Sequence, residues 1–224
     1  MRTKVGDTTV HLVEETDYPF RGTVRVTVNP AAEMKFPLRL RIPAWANGTV
    51  LKVNGQAQPS SAQGGFAKIE RTWRAGDVVE MVFPMTPRVS HGGYRDSVSV
   101  ERGPLVFSYP IGENWVKLRT RGMTADWQVF PSSEWNYGLA VNGDTVRGML
   151  VEEHPVGGSP FALTGTPVKL QMAARKVPAW RAVDGVADPV PQSPVASEES
   201  EETITLVPYG AAKLRITAFP QLRS

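Results

Sequence analysis

Along most of the chain apolar and polar residues alternate one for one, the period of a β-strand with one buried and one wet face. In TVRVTV, Val24, Val26 and Val28 fall on one side and Thr23, Arg25 and Thr27 on the other. PLRLRIP repeats the pattern, with Leu38, Leu40 and Ile42 against Arg39 and Arg41. VVEMVF offers Val79, Met81 and Phe83, and PVKLQM offers Val168, Leu170 and Met172. KLRITAF sets Leu214, Ile216 and Phe219 toward one side, with a bend or bulge expected at Ala218–Phe219 where the count slips. No sustained 3.6-residue period occurs, so long helices are not expected. Half-buried strands of this kind belong to antiparallel sheets.

Turn chemistry points the same way. Asn-Gly pairs at Asn47–Gly48, Asn54–Gly55 and Asn142–Gly143 tolerate positive φ and predict tight hairpins. RAGD, Arg74 to Asp77, separates the Trp73 strand from the Val79 strand in the same manner. The predicted class is all-β, with two antiparallel β-sandwich domains of jelly-roll or Ig-like type in tandem. Alternation breaks after Tyr109, through PIGENWVKLRTRGMTAD, which places the domain boundary at 117/118, giving domains 1–117 and 118–224. DPVPQSPVASEESEE, 188–202, is rich in Pro, Ser and Glu and reads as an exposed or disordered loop inside the second domain, since the strand TITLVPY follows it.

Composition then removes whole classes of chemistry. The chain has 224 residues, 41% of them hydrophobic, enough for a real core. With no cysteine, it can form no disulfide, thiolate zinc site or cysteine nucleophile. Its three histidines, His11, His91 and His154, are far apart and form no HExxH helix, so no metal or other cofactor is expected. The formal charge is only +3, and Lys and Arg alternate with apolar residues instead of clustering, which argues against nucleic acid as a partner. MRTKVGD lacks the apolar core of a signal peptide, and no apolar run is long enough to span a membrane. The compartment stays open.

Candidate catalytic groups are sparse. Glu14 and Glu15 are strand neighbours and point to opposite faces, so they cannot pair. Asp17, Asp77, Asp96, Glu101, Asp126 and Glu134 are scattered over turns and strand ends, where surface and ion-pair roles are the ordinary ones. No GxSxG nucleophile motif and no phosphate-cradling glycine pattern occurs. The aromatics carry more information. DWQVFPSSEWNYGL, Asp126 to Leu139, holds two Trp, one Phe and one Tyr. Alternation gives Trp127 and Val129 one face and Gln128 and Phe130 the other, and after the serines Trp135 and Tyr137 share a face. Rings on both faces predict a segment enclosed by neighbouring structure. Trp135, Tyr137 and Trp127 are nonetheless the candidate carbohydrate contacts, because aromatic rings stack on the apolar C–H faces of sugars.

Several motifs in order resemble one family. LRLRIPAWA, VNG, IERTWRAGDVVEMVFPM and SVERGPLVFSY are similar to the segment after the catalytic barrel in glycoside hydrolase family 127, the β-L-arabinofuranosidase-like proteins. DWQVFPSSEWNYGL and TLVPYGAAKLRITAFP resemble that family's C-terminal portion. The resemblance implies an α/α barrel, ahead of these segments, that holds a cysteine nucleophile on a zinc ion with further cysteines and a glutamate. None of those residues can be carried over to a chain without cysteine.

The expected function is therefore a non-catalytic accessory region of a glycoside hydrolase, packing on and stabilising a catalytic α/α barrel absent from this chain, and not an enzyme by itself. An orphaned docking face would promote self-association. The alternative is a carbohydrate-binding module for arabinose-containing glycans, which predicts coplanar rings on one exposed face.

Overall fold

The computed structural model describes residues 1–59 and 65–223. Among these the regular structure is β throughout, apart from two 3-10 turns at Tyr94–Asp96 and Tyr209–Ala211. The chain divides into two compact units, Met1–Thr86 and Pro87–Ser224.

The first unit contains β1 (Arg2–Val5), β2 (Thr8–Thr16), β3 (Thr23–Pro30), β4 (Met34–Ile42), β5 (Val50–Val53), β6 (Gln56–Gln58), β7 (Gly65–Trp73) and β8 (Asp77–Val82). Six of them form an antiparallel sheet in the order β1-β2-β3-β8-β5-β6, while β4 and β7 pair with each other. Alternation is obeyed on both sides. Val24, Val26 and Val28 on β3 and Val79 and Met81 on β8 meet Phe36, Leu40 and Ile42 on β4 and Ile69 and Trp73 on β7 in one buried core. Trp73 is fully buried, and its indole N–H donates to the Phe36 carbonyl at 2.9 Å, so the ring is buried without an orphaned donor.

RAGD departs from the hairpin expected of it. Strands β7 and β8 that it joins pair with different partners, β4 for one and β3 and β5 for the other. It is a corner between the two sheets. Gly76 takes φ of 90°, its N–H donates to Asn29 Oδ1 at 2.8 Å, and Asp77 Oδ2 accepts the Arg74 N–H at 2.9 Å.

The second unit contains β9 (Pro87–Ser90), β10 (Ser99–Arg102), β11 (Leu105–Pro110), β12 (Glu113–Arg121), β13 (Thr124–Pro131), β14 (Tyr137–Leu139), β15 (Val141–Asn142), β16 (Thr145–Val146), β17 (Leu150–Glu153), β18 (Val168–Lys176), β19 (Ala182–Val183), β20 (Val186–Ala187), β21 (Glu202–Pro208) and β22 (Arg215–Ile216). Its main sheet runs β14-β18-β21-β11-β10-β9, with β17 on β18 and β22 on β11. Val168, Leu170 and Met172 on β18, Leu206 on β21 and Phe107 on β11 are fully buried in it. Three two-stranded ribbons, β12-β13, β15-β16 and β19-β20, stand apart from this sheet. The KLRITAF strand shrinks to Arg215–Ile216, and Phe219 then bridges Val98.

One expectation from the sequence changes here. The units part between Thr86 and Pro87, not at 117/118. Alternation fails after Tyr109 because that segment forms the ribbon β12-β13, whose first strand is almost entirely exposed and so has no buried face to impose a pattern. The 188–202 segment is exposed over much of its length but is tied down. Val195 N–H donates to the Gln221 carbonyl at 2.8 Å, Arg223 N–H donates to the Val195 carbonyl at 2.7 Å, and Ser193 is buried.

Candidate functional site

The stretch 126–139 is split between two environments. Trp127 sits on the exposed ribbon opposite Lys117 and is 51% accessible. It meets the Trp115 ring edge to face at 6.2 Å. Trp135 is half-buried, edge to face against Trp180 at 5.0 Å. Tyr137, on β14, is buried and packs on Tyr109 at 5.0 Å. Burial pushes the Tyr137 phenol well above its ordinary pKa, helped by Tyr109 and by the Glu202 carboxylate that hydrogen-bonds it. The enclosed setting expected for this stretch holds for Trp135 and Tyr137 and fails for Trp127.

These three residues do not make one platform. Trp135 and Tyr137 turn to different partners, because Asn136 between them is drawn inward, its Nδ2 donating to the Val177 and Trp180 carbonyls at 3.0 and 3.1 Å. A buried Tyr137 offers no face to a sugar. On the ribbon, Trp115 and Trp127 stand at 76° to each other, whereas a flat sugar-stacking surface needs coplanar rings.

The ribbon itself is unusual. Trp115, Leu118, Met123 and Trp127 are all exposed on it. Its base is fixed by Glu113, which accepts the Leu214 N–H at 3.1 Å and the Trp115 indole N–H at 2.8 Å, while Lys213 Nζ lies 4.7 Å from the Trp115 ring centroid. The Leu214 N–H, with Trp115 and Lys213 adding to it against a smaller burial effect, holds the Glu113 carboxyl below its ordinary pKa.

Several carboxylates considered from the sequence are occupied in structural roles. Asp126 takes both Arg119 and Arg121, at 2.5 and 2.8 Å, Glu101 pairs with Arg88, and Asp77 accepts Asn54 Nδ2 at 2.8 Å. Among the described residues no group of three or more His, Asp or Glu side chains is placed to hold a metal ion. Among the described residues no helix is long and apolar enough to cross a membrane.

Two clefts in the second unit escaped sequence reasoning, since each gathers residues distant in the chain. One, of about 530 Å³, brings together Arg147, Arg175 and Arg223 with Glu201, which pairs with Arg147 at 2.8 Å. The other, of about 570 Å³, lies beside the loop His91–Ser97 and is lined in part by Tyr94, Trp180 and Thr217.

Comparison with known proteins separates the two units. Residues 1–85 match the family model Beta-L-arabinofuranosidase, GH127 middle domain. That stretch is nearly coextensive with the first unit. Over the whole chain the fold is similar to a GH127 β-L-arabinofuranosidase from Geobacillus stearothermophilus T6, at 25% identity and a TM-score of 0.68, covering 99% of this chain and 32% of that one. A solved glycoside hydrolase is 27% identical with a TM-score of 0.67, covering 100% of this chain and 34% of its own. A further GH127 β-arabinofuranosidase, 22% identical, shares the fold with a TM-score of 0.64, covering 98% of this chain and 33% of its own. The chain spans about a third of the length of these structures. Comparison with curated protein sequences finds no match.

Proposed function

We propose that this chain is the non-catalytic β-sandwich region of a β-L-arabinofuranosidase-like glycoside hydrolase, and that it packs on and stabilises the catalytic barrel of such an enzyme. The observation that carries this reading is the match of residues 1–85 to the GH127 middle domain, with similarity to about a third of each solved hydrolase. The engaged carboxylates support it. Glycoside hydrolysis needs two carboxyl groups facing each other across a substrate, free to act as acid and as nucleophile or base, whereas Glu101 and Asp126 serve arginines and Asp77 serves a turn. The exposed ribbon supports the docking part, because clustered large apolar side chains in water mark interaction surfaces.

The test uses a GH127 barrel stripped of its own β-sandwich region. Adding this chain should raise the barrel's melting temperature and produce a co-eluting complex, while the chain alone should not hydrolyse an aryl β-L-arabinofuranoside. Turnover by the chain alone that disappears on mutating one carboxylate would sink the non-catalytic reading. A barrel indifferent to the chain would sink the docking.

A further inference from the structure

The loop HGGYRDS, His91–Ser97, joins β9 to β10 and is held in a conformation its residues do not favour. Arg95 and Asp96 are consecutive and both left-handed, with φ of 56° and 54°. Residues carrying a Cβ rarely adopt this backbone, and such outliers persist only where the surroundings over-determine them. Here they do. Gln192 Nε2 donates to Asp96 Oδ2 at 2.7 Å, Gln221 Nε2 donates to the Asp96 carbonyl at 2.9 Å, and Ser193 N–H donates to the Arg95 carbonyl at 3.0 Å. Within the loop, Gly93 N–H donates to the Ser97 carbonyl at 3.1 Å.

What this arrangement presents is Tyr94. Its side chain is 67% exposed and lines the cleft of about 570 Å³, with the Arg95 guanidinium 5.3 Å from its ring centroid. The volume is within the range of roughly 300–1,000 Å³ typical of small-ligand sites. The buried Trp180 also lines the cleft, and Ser90, Ser99 and Thr217 bring hydroxyl-bearing side chains to it. An exposed ring beside hydroxyl groups matches a sugar, which has apolar C–H faces and a hydroxylated edge.

Charge narrows the class. No carboxylate is among the residues that line the cleft, so a cationic ligand would find no counter-charge there. Of the lining residues only His91 and Arg215 can carry positive charge, and each has contacts within the protein, although the Arg215 Nε is buried without a partner. His91 Nε2 donates to the Gly143 carbonyl at 3.1 Å. The Arg215 guanidinium lies 3.6 Å from the Tyr209 ring centroid and donates to the Ala212 and Lys213 carbonyls.

We infer that this cleft binds a neutral saccharide, with Tyr94 as the stacking ring. The site lies in the second unit, outside residues 1–85, and does not depend on barrel docking.

The experiment is an NMR titration of the whole chain with neutral arabino- and galacto-oligosaccharides, and with a galacturonate oligomer as the charged control. The neutral sugars should move the amide signals of Tyr94–Ser97, Ser99 and Thr217. Tyr94→Ala should weaken binding about tenfold at an unchanged melting temperature, and Tyr94→Phe should bind as wild type. Ala218→Arg, at an exposed position lining the cleft, should abolish binding by obstruction. No shift at millimolar sugar, shifts that survive both Tyr94→Ala and Ala218→Arg, or a preference for the galacturonate would overturn the inference. Barrel stabilisation is read separately and should be the same for Tyr94→Ala as for wild type, so either idea can fail alone.

Discussion

At the scale of single residues, identical dipeptides take three different jobs. Asn54 and Gly55 both have positive φ, 50° and 79°, and form the two-residue turn of the β5–β6 hairpin, where Val53 pairs with Gln56. Asn142 instead remains in β15 opposite Thr145, leaving Gly143 and Asp144 as the turn. Asn47–Gly48 turns the chain between β4 and β5, which lie in different sheets. Asn54 does more than turn: its Oδ1 accepts the Val78 N–H at 2.8 Å and its Nδ2 donates to Asp77. Burial alone would raise the Asp77 pKa, but the Asn54 and Arg74 N–H bonds and the Arg71 and Arg74 charges together hold it below the ordinary value. A depressed carboxyl contributes stability above its unfolded pKa and loses it as pH falls through the folded one. The first unit should therefore melt lower as pH drops below about 4, and Asp77→Asn should flatten that dependence in a series of thermal melts. Trp73→Ala, which empties a fully buried site, should cost about 3–5 kcal/mol in denaturant unfolding. Trp135→Ala should lower the melting temperature of the second unit, because it uncovers Trp180. Trp127→Ala should leave it unchanged. Equal effects of these two substitutions would contradict the environments assigned to them.

At the scale of elements, the ribbon β12-β13 is the clearest case of a strand pair formed without a core. Its register is continuous apart from a shift between Lys117 and Arg119, and Asp126 clamps both arginines of the distal half. Period-two reading assigns its faces correctly where cross-strand partners exist, Trp115 opposite Val129 and Val116 opposite Gln128. It cannot say that both faces meet water. Since the Glu113 carboxyl is held below its ordinary pKa chiefly by the Leu214 N–H, its grip is complete at neutral pH and is lost as pH falls through that lowered value. Glu113→Gln should consequently speed amide exchange at the ribbon's base at neutral pH, and acidification of the wild type should approach the same behaviour. Exchange unaffected by either change would show that Glu113 does not anchor the ribbon.

At the scale of the molecule, each unit buries its own set of side chains, and the exposed apolar residues of the ribbon belong to neither buried set. If the ribbon is a docking arm, isolated protein should self-associate in a concentration-dependent way by analytical ultracentrifugation. Leu118→Asp combined with Trp127→Ser should then make it monomeric while leaving its melting temperature within about 2 °C of wild type, since exposed substitutions usually cost under about 0.5 kcal/mol. A wild type that stays monomeric at high concentration would remove the arm from the docking proposal.

Sequence alone determined the class, the antiparallel strands and the inward faces of β3, β4, β8 and β18. Period two is a local property: Val24, Val26 and Val28, or Val168, Leu170 and Met172, must all point one way whatever they pair with. The motifs also pointed to the family whose middle-domain model matches residues 1–85, because local strings suffice to recognise such a resemblance. Tertiary structure decided the pairing. That β7 joins β4 while β8 joins β3 and β5 depends on contacts across long stretches of chain, which no turn residue encodes. It placed the division at Thr86, because a boundary is set by where buried contacts stop, not by where alternation stops. It also separated Trp127 from Trp135 and Tyr137, and brought Tyr94, Trp180 and Thr217 to one cleft. Proximity between residues distant in the chain is created by folding, and no local pattern records it.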